Sequence, residues 1–147
     1  MASPKNKNAV FNYFFNNHKI NKEKYIQVIH RTAYVAKSSI IDTGVLVEPN
    51  VTISSQSSIG FGVFIKRGVQ IGHHNIIGNF TDINPGVVIS GKVTIGESCI
   101  IGSGAIIKDN ITIGENTIIG VGSVVTKNIP ANSIAFGNPC KVIRENI

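Results

Sequence analysis

Residues 71–91 read IGHHNIIGNFTDINPGVVISG, and two features of that stretch decide the fold and point to the chemistry. Ile71, Ile77, Ile83 and Ile89 recur every six residues, and the histidine pair His73–His74 follows the first of them. The period extends in both directions. From Ile29 through Val35, Ile41 and Val47, and onward to Ile113, Ile119 and Val125, seventeen consecutive aliphatic residues stand six apart with none missing. The fourth position of each six is usually small or β-branched, as at Ser57, Val63, Thr81, Val87 and Cys99. Glycine often follows the aliphatic residue, as at Gly60, Gly72, Gly78 and Gly96.

A period of six is neither the 3.6 of an amphipathic helix nor the 2 of a half-buried strand. It is the hexapeptide signature of a parallel β-helix, in which each repeat makes one short strand and one turn. The aliphatic residue points inward, the small residue fits the crowded corner, and glycine permits backbone conformations closed to other residues. The fifteen glycines are then turn chemistry, and no GxGxxG or Walker spacing is present. The period ends at Thr126–Pro130, and the tail 131–147 reads as an exit strand or short helix.

Before the repeat, Ser3-Pro4 opens a helix expected over residues 4–17, with Ser3 as cap and Pro4 in the first helical position. Val10, Phe11, Phe14 and Phe15 fall on one face, and Asn16-Asn17-His18 reads as a stop. Three phenylalanines on so short a helix need a cover. They cap the open end of the repeat, since solenoid ends need caps, or they pack on another domain. The organisation is thus a helical segment 1–28, a β-helix 29–130 and a tail 131–147.

At 147 residues the chain suits one core. No apolar run approaches bilayer length and residues 1–24 have no apolar signal core, so a soluble, cytoplasmic protein is expected, with no membrane partner. Cys99 and Cys140 stand alone without a CxxC, which fits reduced thiols. The net charge of +6 gathers in the first quarter, at Lys5, Lys7, Lys19, Lys22, Lys24, Arg31 and Lys37. With no nucleic-acid motif beside it, the cluster reads as a solvated basic face rather than a nucleic-acid site, and it permits a phosphate-bearing small ligand.

Three hexapeptides make one coil in proteins that share this repeat, so residues 18 apart stack on one face. His73, Gly91 and Asp109 form one column; Pro85, Ser103 and Val121 form another. An imidazole beside a glycine N–H is what acyl transfer needs, a base for the attacking amine or hydroxyl and a donor for the oxyanion. The other reading of His73 is a surface turn residue. His74 is structural or tunes its neighbour, and His18 and His30 read as structural. No metal site is expected, because adjacent histidines diverge and no third ligand has suitable spacing.

The chain resembles the C-terminal half of the sialic acid O-acetyltransferase and nucleotide-amino-sugar N-acetyltransferase family, hexapeptide enzymes of bacterial surface-glycan biosynthesis. The matching residues begin at VIHRTA (28–33), continue from IGHHNIIGNFTDINPG to TKNIP, and end at GNPCKVI. The resemblance covers about residues 28–143 and implies a left-handed β-helix of about five coils. It further implies a homotrimer, with acetyl-CoA as cosubstrate in the groove between prisms. His73 then falls on the catalytic base and Gly91 on the amide that binds the thioester carbonyl. Asp82, Ser103 and Val121 fall on the lining of the acetyl-CoA channel, and Gly137-Asn138-Pro139 on the segment near adenine.

The chain departs from that family in three places. Gly72 and His74 stand where the base usually has acidic neighbours, and Asp82 stands where some relatives carry a second histidine. In front, only about 27 residues stand where relatives carry a nucleotide-sugar-binding α/β domain. Ala2-Ser3-Pro4 and the helix resemble that domain's final segment, which leads to the expectation of a shortened form. The function expected is acetyl transfer to a sugar or nucleotide-sugar amine or hydroxyl. The alternative is an inactive trimeric CoA-binding or scaffold module.

Overall fold

The computed structural model describes residues 3–147 and is a left-handed parallel β-helix with one α-helix along its flank. Met1 and Ala2, the latter part of the Ala2-Ser3-Pro4 segment, lie outside the described residues. Seventeen strands of two residues each run from Val28–Ile29 to Val124–Val125, one per hexapeptide. Three strands close one coil, so seventeen make just under six coils, slightly more than the five expected. Pairing is parallel at an offset of 18: Asp82 lies opposite Ile100, and Ile83 opposite Ile101.

The three faces of the prism are three stacks of strands. The first holds Phe64–Ile65, Asp82–Ile83 and Ile100–Ile101; the second Gln70–Ile71, Val88–Ile89 and Ile106–Ile107; the third Ser58–Ile59, Ile76–Ile77 and Thr94–Ile95. The second residue of each strand points inward. From Val47 to Val125 these ladder residues are at most 2% exposed, whereas Ile29, on the first coil, is 40% exposed. Each coil hangs on the next by backbone bonds such as Gly72 N–H to Ile89 O at 2.8 Å.

The corners divide the glycines into two kinds. The third residue after a ladder aliphatic adopts left-handed φ between +50° and +71°, filled by Gly62, Gly68 and Gly86 but also by Gln56, His74 and Lys92. The glycines directly after the aliphatic do not. There a Cβ would strike the next coil: at Gly78 it would lie 2.5 Å from the Gly96 carbonyl carbon. Close approach therefore explains these glycines, and the turn conformation expected of them belongs two residues further on.

The helix spans Pro4–His18, with the Ser3 hydroxyl accepting from Asn6 N–H and Lys19 closing it at φ 55°. It does not sit over the open end. It runs lengthwise down the first face, where Lys5 Nζ reaches Ile147 O, Lys7 meets Asp82, and Phe11 packs 4.9 Å from the Phe61 ring. A helix of fifteen residues is about 22 Å long, which matches four to five strand spacings. Only Phe11 is held among aromatic side chains of the prism; Phe14 and Phe15 remain 38% and 46% exposed.

Lys7 fastens the helix. Its ammonium donates to Asp82 Oδ1 at 2.8 Å and Gly62 O at 2.9 Å, and lies 4.0 Å above the Phe64 ring. Burial pushes its pKa below the ordinary lysine value, and the Asp82 carboxylate opposes that push. The tail forms an antiparallel hairpin of Ser133–Gly137 and Cys140–Glu145, which extends the first face beyond Ile118–Ile119. Cys99 and Cys140 are buried free thiols. Among the described residues no helix is long and apolar enough to cross a membrane.

The Lys7–Asp82 pair generates a stability test, because both side chains are under 10% exposed. Lys7→Ala strands a buried carboxylate and is expected to cost about 3–5 kcal/mol, whereas Lys7→Met with Asp82→Leu should unfold near wild type. Denaturant midpoints of the three proteins check this. Equal losses in the single and double variants would show that the pair does not hold the helix.

Candidate active site

His73 and Gly91 lie at the corner between the second and third faces, one coil apart. The Ile71 side chain anchors the strand inward, and Gly72 lets the backbone turn where a Cβ would lie 2.8 Å from the Ser90 carbonyl. His73 follows on the exposed rim. The corner is stapled between coils: His74 N–H donates to Ser55 O, Lys92 N–H to His73 O, and Asn110 N–H to Gly91 O. The backbone beneath the imidazole is thus fixed on both sides although the ring itself is exposed.

The His73 ring lies over the Gly91 Cα. A Cβ built on Gly91 would meet His73 Nε2 and Cε1, each at 2.7 Å. Gly91 has no left-handed φ, so its glycine serves the ring rather than the turn. Among the described residues no acceptor takes the Gly91 N–H or the His73 N–H. The other imidazole nitrogen, His73 Nδ1, lies 2.9 Å from His74 Nδ1, with the two rings nearly perpendicular at 89°. His74 reaches that position because its own φ of +57° turns its side chain back along the corner. Asp109, third in the column, bonds to Asn110 Nδ2 and does not touch the imidazole.

A nitrogen pair at 2.9 Å needs one donor and one acceptor. With Nδ1–H of His73 donating to Nδ1 of His74, the lone pair of His73 stands on Nε2, beside Gly91. His74 is thus the side chain in contact with the His73 ring, at the place where the sequence left the orienting partner open.

Residues 92–127 match the family described as bacterial transferase hexapeptide (six repeats). A comparison with curated protein sequences gives no match. Among solved structures, a histidine-to-asparagine mutant of perosamine N-acetyltransferase from Caulobacter crescentus, in complex with CoA and GDP-perosamine, superposes with a TM-score of 0.91 at 27% identity. That likeness covers 99% of this chain and 67% of that one. The acetyltransferase domain of PglB from Neisseria gonorrhoeae, in complex with acetyl coenzyme A, is 32% identical with a TM-score of 0.79, over 80% of this chain and 57% of that one. WeeI from Acinetobacter baumannii, at 24% identity and a TM-score of 0.89, shares the fold. The chain is similar to these hexapeptide-repeat acetyltransferases in fold. It spans between 57% and 68% of the length of these three proteins.

The remaining site candidates gather elsewhere. Ser103 and Val121 stack at the corner between the first and second faces, where Gly122 N–H donates to Ser103 O and Val121 is 77% exposed. Gly137-Asn138-Pro139 forms the turn of the C-terminal hairpin at the top of the same corner, with Gly137 N–H on Ser123 Oγ at 3.1 Å. These five residues and the His73 pair therefore flank the second face from opposite corners. Asp82 joins neither group. Its carboxylate is 6% exposed beneath the helix, on the first face, where Lys7 neutralises it. Asp82, expected to line an acetyl-CoA channel, is here the buried partner of Lys7.

Among the described residues no group of three or more His, Cys, Asp or Glu side chains could hold a metal ion. The Gly91 geometry yields a direct test. Gly91→Ala must displace the His73 ring, which is exposed and has solvent to move into, so the melting temperature should stay near wild type while the His73–His74 contact is lost. Side-chain nitrogen correlations in an NMR spectrum report that contact. Unchanged His73 and His74 signals in Gly91→Ala would refute the seat described here.

Proposed function

We propose that the chain is an acetyl-CoA-dependent acetyltransferase, with His73 as general base, that acetylates an amino or hydroxyl group of a nucleotide-linked sugar. The observation that carries the reading is the Nε2 of His73 lying against Gly91, whose N–H has no acceptor among the described residues. The sugar acetyltransferases that share the fold support the acceptor class, and the acetyl-CoA bound by the Neisseria domain supports the donor.

In this reading His73 Nε2 takes the proton of the acceptor as its nitrogen or oxygen attacks the thioester carbonyl. The Gly91 N–H donates to the carbonyl oxygen as negative charge gathers there. The carbon–sulfur bond then breaks, and the proton held on Nε2 passes to the leaving sulfur. His74 Nδ1 accepts from His73 Nδ1–H throughout, so the ring keeps its tautomer and stays in place while it carries the charge. Neither cysteine takes part. Burial pushes the Cys99 thiol up to about 11, away from thiolate, and its sulfur faces the Gly114 carbonyl inside the prism.

The chain acts as a homotrimer in this proposal. Ser103, Val121 and Gly137-Asn138-Pro139 stand at a different corner from His73, and a second copy would bring the two corners to one groove. The trimeric enzyme belongs to the cytoplasm, where acetyl-CoA and nucleotide sugars are available.

His73→Ala should melt at the wild-type temperature and gain the same thermal stabilisation from acetyl-CoA. Its thiol release with amino-sugar nucleotides should fall by about 10²–10⁴-fold. Unfolding curves with and without acetyl-CoA, followed by a thiol assay, make the comparison. Undiminished release from His73→Ala would overturn the base; no stabilisation of either protein would overturn the donor. Sedimentation of wild type reads the assembly, and a monomer at working concentration would remove the second copy from the mechanism.

A further inference from the structure

Beneath His73 and His74 the corner is lined by one inward polar series: Ser39, Ser57 and Asn75, each a coil apart, followed by Val93 and Ile111. Ser57 makes one carbonyl contact, to Gly72 O fifteen residues ahead at 3.0 Å. Asn75 does more. It is fully buried, and its Nδ2 donates to Ser90 O at 3.0 Å and to Gly72 O at 2.8 Å, while its Oδ1 accepts Val93 N–H at 2.7 Å. Two carbonyls on one side and an N–H on the other use its whole side chain and fix which way the amide faces.

The two carbonyls are not arbitrary. Gly72 O belongs to the peptide that carries the His73 N–H, and Ser90 O to the peptide that carries the Gly91 N–H. In a planar trans peptide the carbonyl and N–H point in opposite directions. Corner N–H groups at this position face outward by the geometry of the coil; a donor that holds both carbonyls toward the core fixes that orientation for these two, and neither finds an acceptor among the described residues. A single side chain spans the coil spacing and sets the two peptide planes against each other.

We propose that Asn75 is a positioning residue of the acetyl-transfer reaction: its buried amide clamps the Gly72–His73 and Ser90–Gly91 peptides, so that the Gly91 N–H and the His73 imidazole face the same reacting carbonyl. The proposal rests on the roles of His73 and Gly91 given above. Asn75 touches no reactant. Its effect is on turnover, through the orientation of a donor that acts as charge develops, and not on acetyl-CoA affinity.

The test uses two substitutions that this corner already accommodates. Asn75→Val copies Val93, one coil further on, and removes all three bonds; Asn75→Ser copies Ser57 and retains the carbonyl fifteen residues ahead, here Ser90 O. In Asn75→Val, kcat should fall about 10–100-fold, the scale of a small misplacement of catalytic groups, with the KM for acetyl-CoA near wild type. Asn75→Ser should recover part of the loss, and the Gly91 amide signal in a nitrogen-15 spectrum should shift in the valine variant and return toward wild type in the serine variant. Wild-type kcat in Asn75→Val, a loss expressed only in KM, or no recovery by serine would each overturn the clamp. Should the valine protein fail to fold, the serine variant against wild type, by kcat and by the Gly91 signal, decides alone. Failure of the underlying reading looks different: wild type itself releases no thiol, or His73→Ala matches it, and the clamp then falls with that reading.

Discussion

Everything in this molecule follows from one requirement: each coil must close in eighteen residues so that the next can stack in register. The ladder aliphatics meet it from inside, since a residue at most 2% exposed and repeated every six positions fills the axis without a gap. The corners meet it from outside, where a left-handed residue bends the chain and a glycine lets two backbones approach. An extra residue in any coil would shift every later inward side chain to the surface. The site inherits this rigidity. Two residues with no covalent reason to meet, His73 and Gly91, are held one strand spacing apart by the same register that packs the isoleucines.

A β-helix corner also leaves backbone donors over. Strand N–H groups bond to the next coil, and the left-handed residue bonds to the previous one, but the residue between them, as at His73, Gly91, Ser103 and Val121, has an outward N–H with no acceptor among the described residues. At Gly91 the side chain is absent and an imidazole takes its place, so an unused donor and a base share one small volume. That juxtaposition needs no loop or insertion, because the register of the coils brings it about. It needs one glycine out of the usual place and one histidine above it.

The sequence carried the period, the inward ladder and the His73–Gly91 column, because these depend only on spacing. It carried the helix and its cap for the same local reason. What it did not carry was where the helix lies: the Lys7–Asp82 bond joins residues 75 apart, and nothing local in either residue announces it. Asp82 was read through the resemblance as a channel-lining residue, and its pairing with Lys7 appears only when the helix is laid on the prism. The His74 contact depends on a left-handed φ that turns the second imidazole toward the first, which adjacency in sequence argues against. Asn75 was legible in principle, as a polar residue too large for a position that is otherwise small or β-branched. Its partners, Gly72 and Ser90, appear only when the coils are stacked.

The helix also breaks the symmetry of the prism. By covering the first face it leaves the second and third open, and these are the faces that meet at the His73 corner. Their outward positions hold Tyr34, Val88 and Ile106 on one side and Ile40 and Ile76 on the other, all between 40% and 70% exposed. A closed ring of identical chains with head-to-tail contacts requires two different surfaces on each copy. The second face, where Tyr34, Val88 and Ile106 stand with Thr52 and Gln70, is bounded by the His73 corner on one side and the Ser103–Val121 corner on the other, so it offers two unlike edges. The ring proposed above seats the His73 corner of one copy against the Ser103 corner of the next, and the helix, by burying Asp82 on the first face, keeps that carboxylate out of the contact.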